Sequence, residues 1–91
     1  MELKSGWHYH SNGGGLVQDT AHVDDTAYVG PDARVFENAR VYGYAWVSEN
    51  AQVYGDARVS GDARVYGDAQ VSGNTLVSGD AWVSGDAWVS K

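Results

Sequence analysis

Gly61-Asp62-Ala63-Arg64-Val65-Tyr66 is the stretch that decides the fold. The same phrase precedes it as Gly55-Asp56-Ala57-Arg58-Val59-Ser60 and follows it as Gly67-Asp68-Ala69-Gln70-Val71-Ser72. Within each unit, Ala-x-Val sets two apolar residues at i and i+2, so both lie on one face of a strand. A helix is excluded, because six is not a multiple of the 3.6-residue turn and glycine recurs in nearly every unit. Working outward, valine stands at every sixth position from Val17 to Val89, thirteen times without a miss. Two residues before each valine stands a small residue: Gly15 first, then alanine everywhere except Thr75.

A strand of about four residues leaves only a tight corner to complete each hexad. Gly30-Pro31-Asp32-Ala33 suggests its type. Proline presets φ near −65° at the first central position of a type I or II turn, and aspartate then falls where a type II turn needs positive φ. Elsewhere glycine replaces the proline, and Asp or Asn keeps the next place: Asp56, Asp62, Asp68, Asn74, Asp80 and Asp86. These residues are expected to hold a left-handed backbone, a structural role rather than a catalytic or metal-binding one.

A short strand and a corner every six residues make a coil that three sides close at eighteen. Residues 15–90 resemble the hexapeptide-repeat, left-handed parallel β-helix family, whose pattern is an aliphatic residue every sixth place with a small residue two places earlier. The opening, Asn12-Gly13-Gly14-Gly15-Leu16-Val17 followed by Thr26-Ala27-Tyr28-Val29-Gly30-Pro31-Asp32-Ala33, is similar to bacterial and phage proteins of that family. The resemblance implies an all-β, single-domain left-handed parallel β-helix, a triangular prism of about four coils of 18 residues. The expected organisation is a cap segment over residues 1–14, with Trp7 or Tyr9 covering the first coil, and the β-helix over 15–91. The repeat runs to the last residues of the chain, so an open final coil is also expected, covered by a partner or by a second copy.

Composition narrows the partners. The chain has 91 residues, no cysteine and a formal charge of −6. That charge disfavours direct binding to nucleic acid or to an anionic membrane and permits binding to a basic protein surface. No apolar run suits a signal peptide or a membrane span, so a cytoplasmic protein is expected.

With valine and alanine consumed inside, function must lie in residues that point out. The residue between alanine and valine does so, and a step of eighteen sorts these residues into three columns. The first is Leu16, Arg34, Gln52, Gln70 and Trp88; the second His22, Arg40, Arg58 and Leu76; the third Tyr28, Trp46, Arg64 and Trp82. Tyr28, Trp46, Arg64 and Trp82 on one narrow face suit a protein interface, where aromatic residues and arginine are enriched. Stacking for stability alone is the plainer account. Arg40 above Arg58 reads either as guanidiniums leaning toward acidic corners or as an anion site using the arginine fork. All six residues are candidate partner-binding residues.

Enzymatic readings fare less well. The family's enzymes are acyltransferases, with a histidine base and an inserted loop, and carbonic anhydrases, with zinc held by three histidines. Residues 15–91 carry no inserted loop, His22 is the only histidine of the repeat, and His8, His10 and His22 match no ligand spacing. The expectation is therefore a non-catalytic, cofactor-free protein-interaction module that also forms homo-oligomers. One form it could take is a small phage or mobile-element inhibitor binding a host nucleic-acid-binding enzyme. A minimal acyltransferase-like or carbonic-anhydrase-like oligomer is the alternative.

Overall fold

The computed structural model describes residues 6–89. Its strands, in chain order, are β1 (Trp7–Tyr9), β2 (Leu16–Gln18), β3 (His22–Val23), β4 (Tyr28–Val29), β5 (Arg34–Val35), β6 (Arg40–Val41) and β7 (Trp46–Val47). They continue as β8 (Gln52–Val53), β9 (Arg58–Val59), β10 (Arg64–Val65), β11 (Gln70–Val71), β12 (Leu76–Val77), β13 (Trp82–Val83) and β14 (Trp88–Val89). Three sheets result, ordered β1-β2-β5-β8-β11-β14, β3-β6-β9-β12 and β4-β7-β10-β13. The chain is thus an all-β solenoid of about four turns with three parallel sheets and an 18-residue period. Each repeat strand after β2 is two residues long rather than about four, because the corner takes the rest of the hexad.

The coils are stitched rung by rung. Tyr28 N–H donates to Ala45 C=O (2.9 Å), Trp46 N–H to Ala63 C=O (3.0 Å) and Arg64 N–H to Ala81 C=O (2.9 Å). Inside, each valine stacks on the valine one coil away: Val29, Val47, Val65 and Val83 form one such column. From Val29 to Val71 the repeat valines are fully buried, as are the alanines beside them from Ala27 to Ala69. A solenoid repeat has no other way to bury its apolar face, so the stack of coils is itself the core.

The corners depart from the sequence expectation. The left-handed residue is the first central residue, not the Asp or Asn after it: Glu37 (φ 61°), Gly43 (67°), Glu49 (58°), Gly55 (70°), Gly61 (67°), and on through Gly85 (64°). Asp56, Asp62, Asp68, Asn74, Asp80 and Asp86 therefore do not occupy the left-handed position. Positive φ at the first position alone is the sign pattern of a type II′ turn, here closed by Ala63 N–H donating to Ser60 C=O at 3.3 Å. Proline cannot take positive φ. The Gly30–Ala33 turn is thus the exception rather than the template.

The left-handed residue turns both its amide and its carbonyl toward the coil below. The Gly55 carbonyl accepts from Asn38 N–H (2.9 Å), and Gly55 N–H donates to the Glu37 carboxylate (2.9 Å). Gly67 N–H donates likewise to Glu49 (2.8 Å), and Gly43 N–H to Asp24 (2.9 Å). Asp56, Asp62 and Asp68 contribute backbone N–H groups to these rungs, as when Asp56 donates to Gly73 C=O (2.9 Å), and leave their side chains exposed.

At the N-terminal end, β1 runs antiparallel to β2 and pairs its outer edge, with His8 opposite Val17. The side chain that turns inward there is His10, not Trp7 or Tyr9. His10 is buried, and its Nε2 bonds the Ala27 carbonyl at 2.8 Å. Trp7 instead lies on the outside against Phe36, and Tyr9 is exposed. In the last described coil, Ala81 and Ala87 are exposed and Val89 is only partly buried. No helix among the described residues is long and apolar enough to cross a membrane.

Candidate interaction surface

The parallel register assembles all three outward columns. Tyr28 pairs with Trp46, Trp46 with Arg64, and Arg64 with Trp82, all on the third sheet. On the second sheet His22 pairs with Arg40, Arg40 with Arg58, and Arg58 with Leu76. The six candidate residues thus divide between two faces: Tyr28, Trp46, Arg64 and Trp82 on one, Arg40 and Arg58 on the other.

On the third face the side chains interlock. The Arg64 guanidinium carbon lies 5.4 Å from the Trp46 ring centroid and 5.3 Å from that of Trp82. Arginine between two indoles combines stacking with cation–π attraction. Tyr28 extends the stack, its ring 5.1 Å from Trp46, and Tyr66 meets Trp82 edge-on at 6.1 Å. The stack holds these long side chains against one another, yet Trp46 stays 47% and Trp82 62% exposed. Two troughs flank it. One, of about 510 Å³, is bounded by Tyr44, Asp62 and Asp80; the other, of about 360 Å³, by Ser48, Glu49 and Tyr66.

Tyr44 was not singled out from sequence. Tyr44 is the most exposed tyrosine of the described structure, at 66%. A signal was available: it occupies the corner place that Asp or Asn fills in later hexads. Asp62 and Asp80 are expected from sequence to serve the turns, with their charge left to steer a basic surface; in the structure their carboxylates line the trough and form no ion pair with Arg64.

The second face carries a different chemistry. No carboxylate among the described residues lies within 4.0 Å of Arg40 or Arg58, so they do not lean onto acidic corners. Arg40 has only a long contact, from Nη1 to the Tyr42 hydroxyl at 3.4 Å. A groove of about 640 Å³ runs beside the two arginines, lined also by Thr20, Asn38, Asp56, Asn74, Thr75 and Leu76. At the end of this column His22 Nε2 bonds Asp24 Oδ1 at 2.8 Å, while Asp24 Oδ2 accepts from Gly43 N–H.

The backbone N–H of Gly43, and then His22, hold the Asp24 carboxyl below its ordinary value of 3.8. A depressed folded value means the ionised form is favoured by folding. Its stabilising contribution is complete above the unfolded value and is lost as pH falls through the folded one. The Asp24 carboxyl carbon, followed by NMR, is expected to titrate below pH 3.8. Asp24→Asn should make the acid end of the stability curve less steep; an unchanged acid limb would refute the assignment.

The first face is more self-contained. Phe36 and Tyr54 stack at 4.8 Å, and the Tyr54 hydroxyl donates to Gln70 Oε1 at 2.9 Å. The histidines of the N-terminal segment are engaged separately, His8 with Asp19 at 2.7 Å and His10 with the Ala27 carbonyl. Among the described residues no three His, Cys, Asp or Glu side chains converge as metal ligands.

The model of a family described as YdcK beta solenoid repeat matches residues 33–49, 51–67, 57–73 and 69–85, together more than half of the chain. No match emerged among curated proteins or among solved structures.

Proposed function

The chain belongs to the YdcK beta-solenoid repeat family, and from that scaffold we propose that it works as a non-catalytic module that binds other proteins through its outer ladders. The observation that carries this reading is the exposed Trp46–Arg64–Trp82 stack between two troughs. Indole and guanidinium groups give large contact energy at interfaces, and a stack held in advance spends little entropy on binding. The partner it suits is a basic protein, since Asp62, Asp80 and Glu49 rim the troughs and the chain carries a charge of −6. A host nucleic-acid-binding enzyme has such a surface, which fits a small phage-borne inhibitor. A second copy of the chain is the other occupant of this reading, with face packing on face between left-handed hexapeptide prisms. Arg40 and Arg58 form a second contact surface.

An acyltransferase-like alternative would depend on His22 oriented by Asp24. None of the three grooves described above is lined by His22.

The test is a pull-down from host lysate with mass spectrometry, together with light scattering of the purified protein. Trp46→Ala and Trp82→Ala are each expected to weaken the partner or self-contact by more than about 1 kcal/mol, with little change in melting temperature. Partner binding and oligomeric state both unmoved by the double variant would sink the reading.

A further inference from the structure

We propose that the groove beside Arg40 and Arg58 binds the phosphate of a phosphate monoester. The two guanidiniums stand on adjacent strands in direct register, about 4.8 Å apart at the backbone. Like charges placed opposite each other across a sheet destabilise it. Nearby acids usually relieve such a pair, but no carboxylate among the described residues is within 4.0 Å of either. The carboxylate at the end of the column, Asp24, is already engaged by His22 and the Gly43 amide and brings no relief. A dianion between the two forks removes the repulsion.

The lining selects the anion. A carboxylate has two oxygens and one charge, which a single bidentate arginine fork balances; a phosphate monoester has three terminal oxygens and about two charges, matching two forks. Asn38 and Asn74 stand on the rim one period to either side of Asp56, and each offers an amide donor to the groove. Asp56 between them opposes any anion on its own side of the groove and can accept from a ligand hydroxyl, so the phosphate belongs against the two guanidiniums with its carrier toward Asp56. With a net charge of −6, the chain disfavours polyanions and favours a single compact phosphate on a polar, hydroxyl-bearing carrier.

The inference takes from the proposed function only that the second face is a binding surface. It is independent of the indole stack, so the Trp46→Ala/Trp82→Ala protein should retain it.

The experiment is a low-salt titration of the intact protein with inorganic phosphate, glycerol 3-phosphate and a phosphoserine peptide, following the arginine Nε–H signals by NMR. Arg40 and Arg58 signals should shift with all three probes while Arg34 and Arg64 signals stay still. Arg40→Ala and Arg58→Ala should each lower affinity at least tenfold, and Arg→Lys at either site, which keeps charge but loses the fork, by several-fold. Tighter binding of glycerol 3-phosphate assigns a small-molecule ester, and tighter binding of the peptide a phosphorylated protein. Absence of shifts at millimolar phosphate, or an equal loss in Arg34→Ala, would overturn the proposal. Circular dichroism of each variant ensures that a lost signal is not a lost fold.

Discussion

Val59→Asp is expected to abolish the cooperative unfolding transition, while Val59→Ala leaves a folded protein less stable by about 2 kcal/mol. Val59 is fully buried and stacks in register between Val41 and Val77 at mid-height of the prism. The alanine variant removes two methyl groups and leaves a void that rigid rungs on both sides cannot close. The aspartate variant does more. Its carboxyl has no donor among the valines, so it must be buried charged or forced neutral, at a cost of several kcal/mol. A domain of this size has a total stability on the order of 5–10 kcal/mol. Because each coil contacts only its neighbours, a failed central rung also removes support from the coils on either side. Val83→Ala is the internal contrast. Val83 lies in the last described coil, beside exposed Ala81, so the change should cost roughly 1 kcal/mol or less. Urea unfolding followed by far-ultraviolet circular dichroism reads all three. A cooperative transition in Val59→Asp close to that of the parent would show that the column is not packed as described.

Gly55→Val should cost about 3 kcal/mol, from a corner that looks tolerant because it is on the surface. The glycine holds φ at 70°, and a Cβ there would meet the Gly73 backbone nitrogen at 2.8 Å. Backbone in the next rung cannot swing aside as a side chain can. Valine adds the particular difficulty of a β-branched residue in the left-handed region. Glu37, one coil below on the same corner, tolerates φ of 61° as a non-glycine residue because its carboxylate accepts the Gly55 amide. Glu37→Gly should therefore be nearly neutral, relieving strain of about 1 kcal/mol and losing a hydrogen bond of similar worth. If Gly55→Val matched the parent in urea, the corner would have to be relaxing to the turn that Pro31 adopts.

The lateral arrangement of this protein was readable before its corners were. Alternation within each strand and a closed step of eighteen residues placed Trp46 over Tyr28 and Arg58 over Arg40, and no side-chain detail can alter that placement. The corner conformation depends on which of two adjacent residues takes positive φ. Gly-Asp offers two acceptable candidates, and the one hexad with proline argued for the wrong one. Glycine at the first central place of Gly61-Asp62 and its relatives was the better signal, since glycine takes positive φ at least cost. The N-terminal segment has no period, so neither its antiparallel pairing with β2 nor the inward turn of His10 could be read from spacing. The site was legible as columns and not as troughs: Tyr44, Asp62 and Asp80 matter through where a corner meets a face, which a one-dimensional pattern does not display.

The uninterrupted eighteen-residue step gives the molecule a reading frame of its own. Excising one complete period takes out one storey and leaves every later side chain on its original wall. Excising a single hexad, such as residues 61–66, keeps the interior valine pattern intact and rotates every later residue to the next wall. Trp88 would then inherit the place of Trp82, and Gln70 that of the lost Arg64. The interior scarcely detects such an edit, because all three walls present it with Ala-x-Val, Thr75 apart; what changes is the exterior. Chain length in units of six thus controls surface identity independently of stability, so the lineage can reshuffle what it displays while the scaffold beneath stays constant.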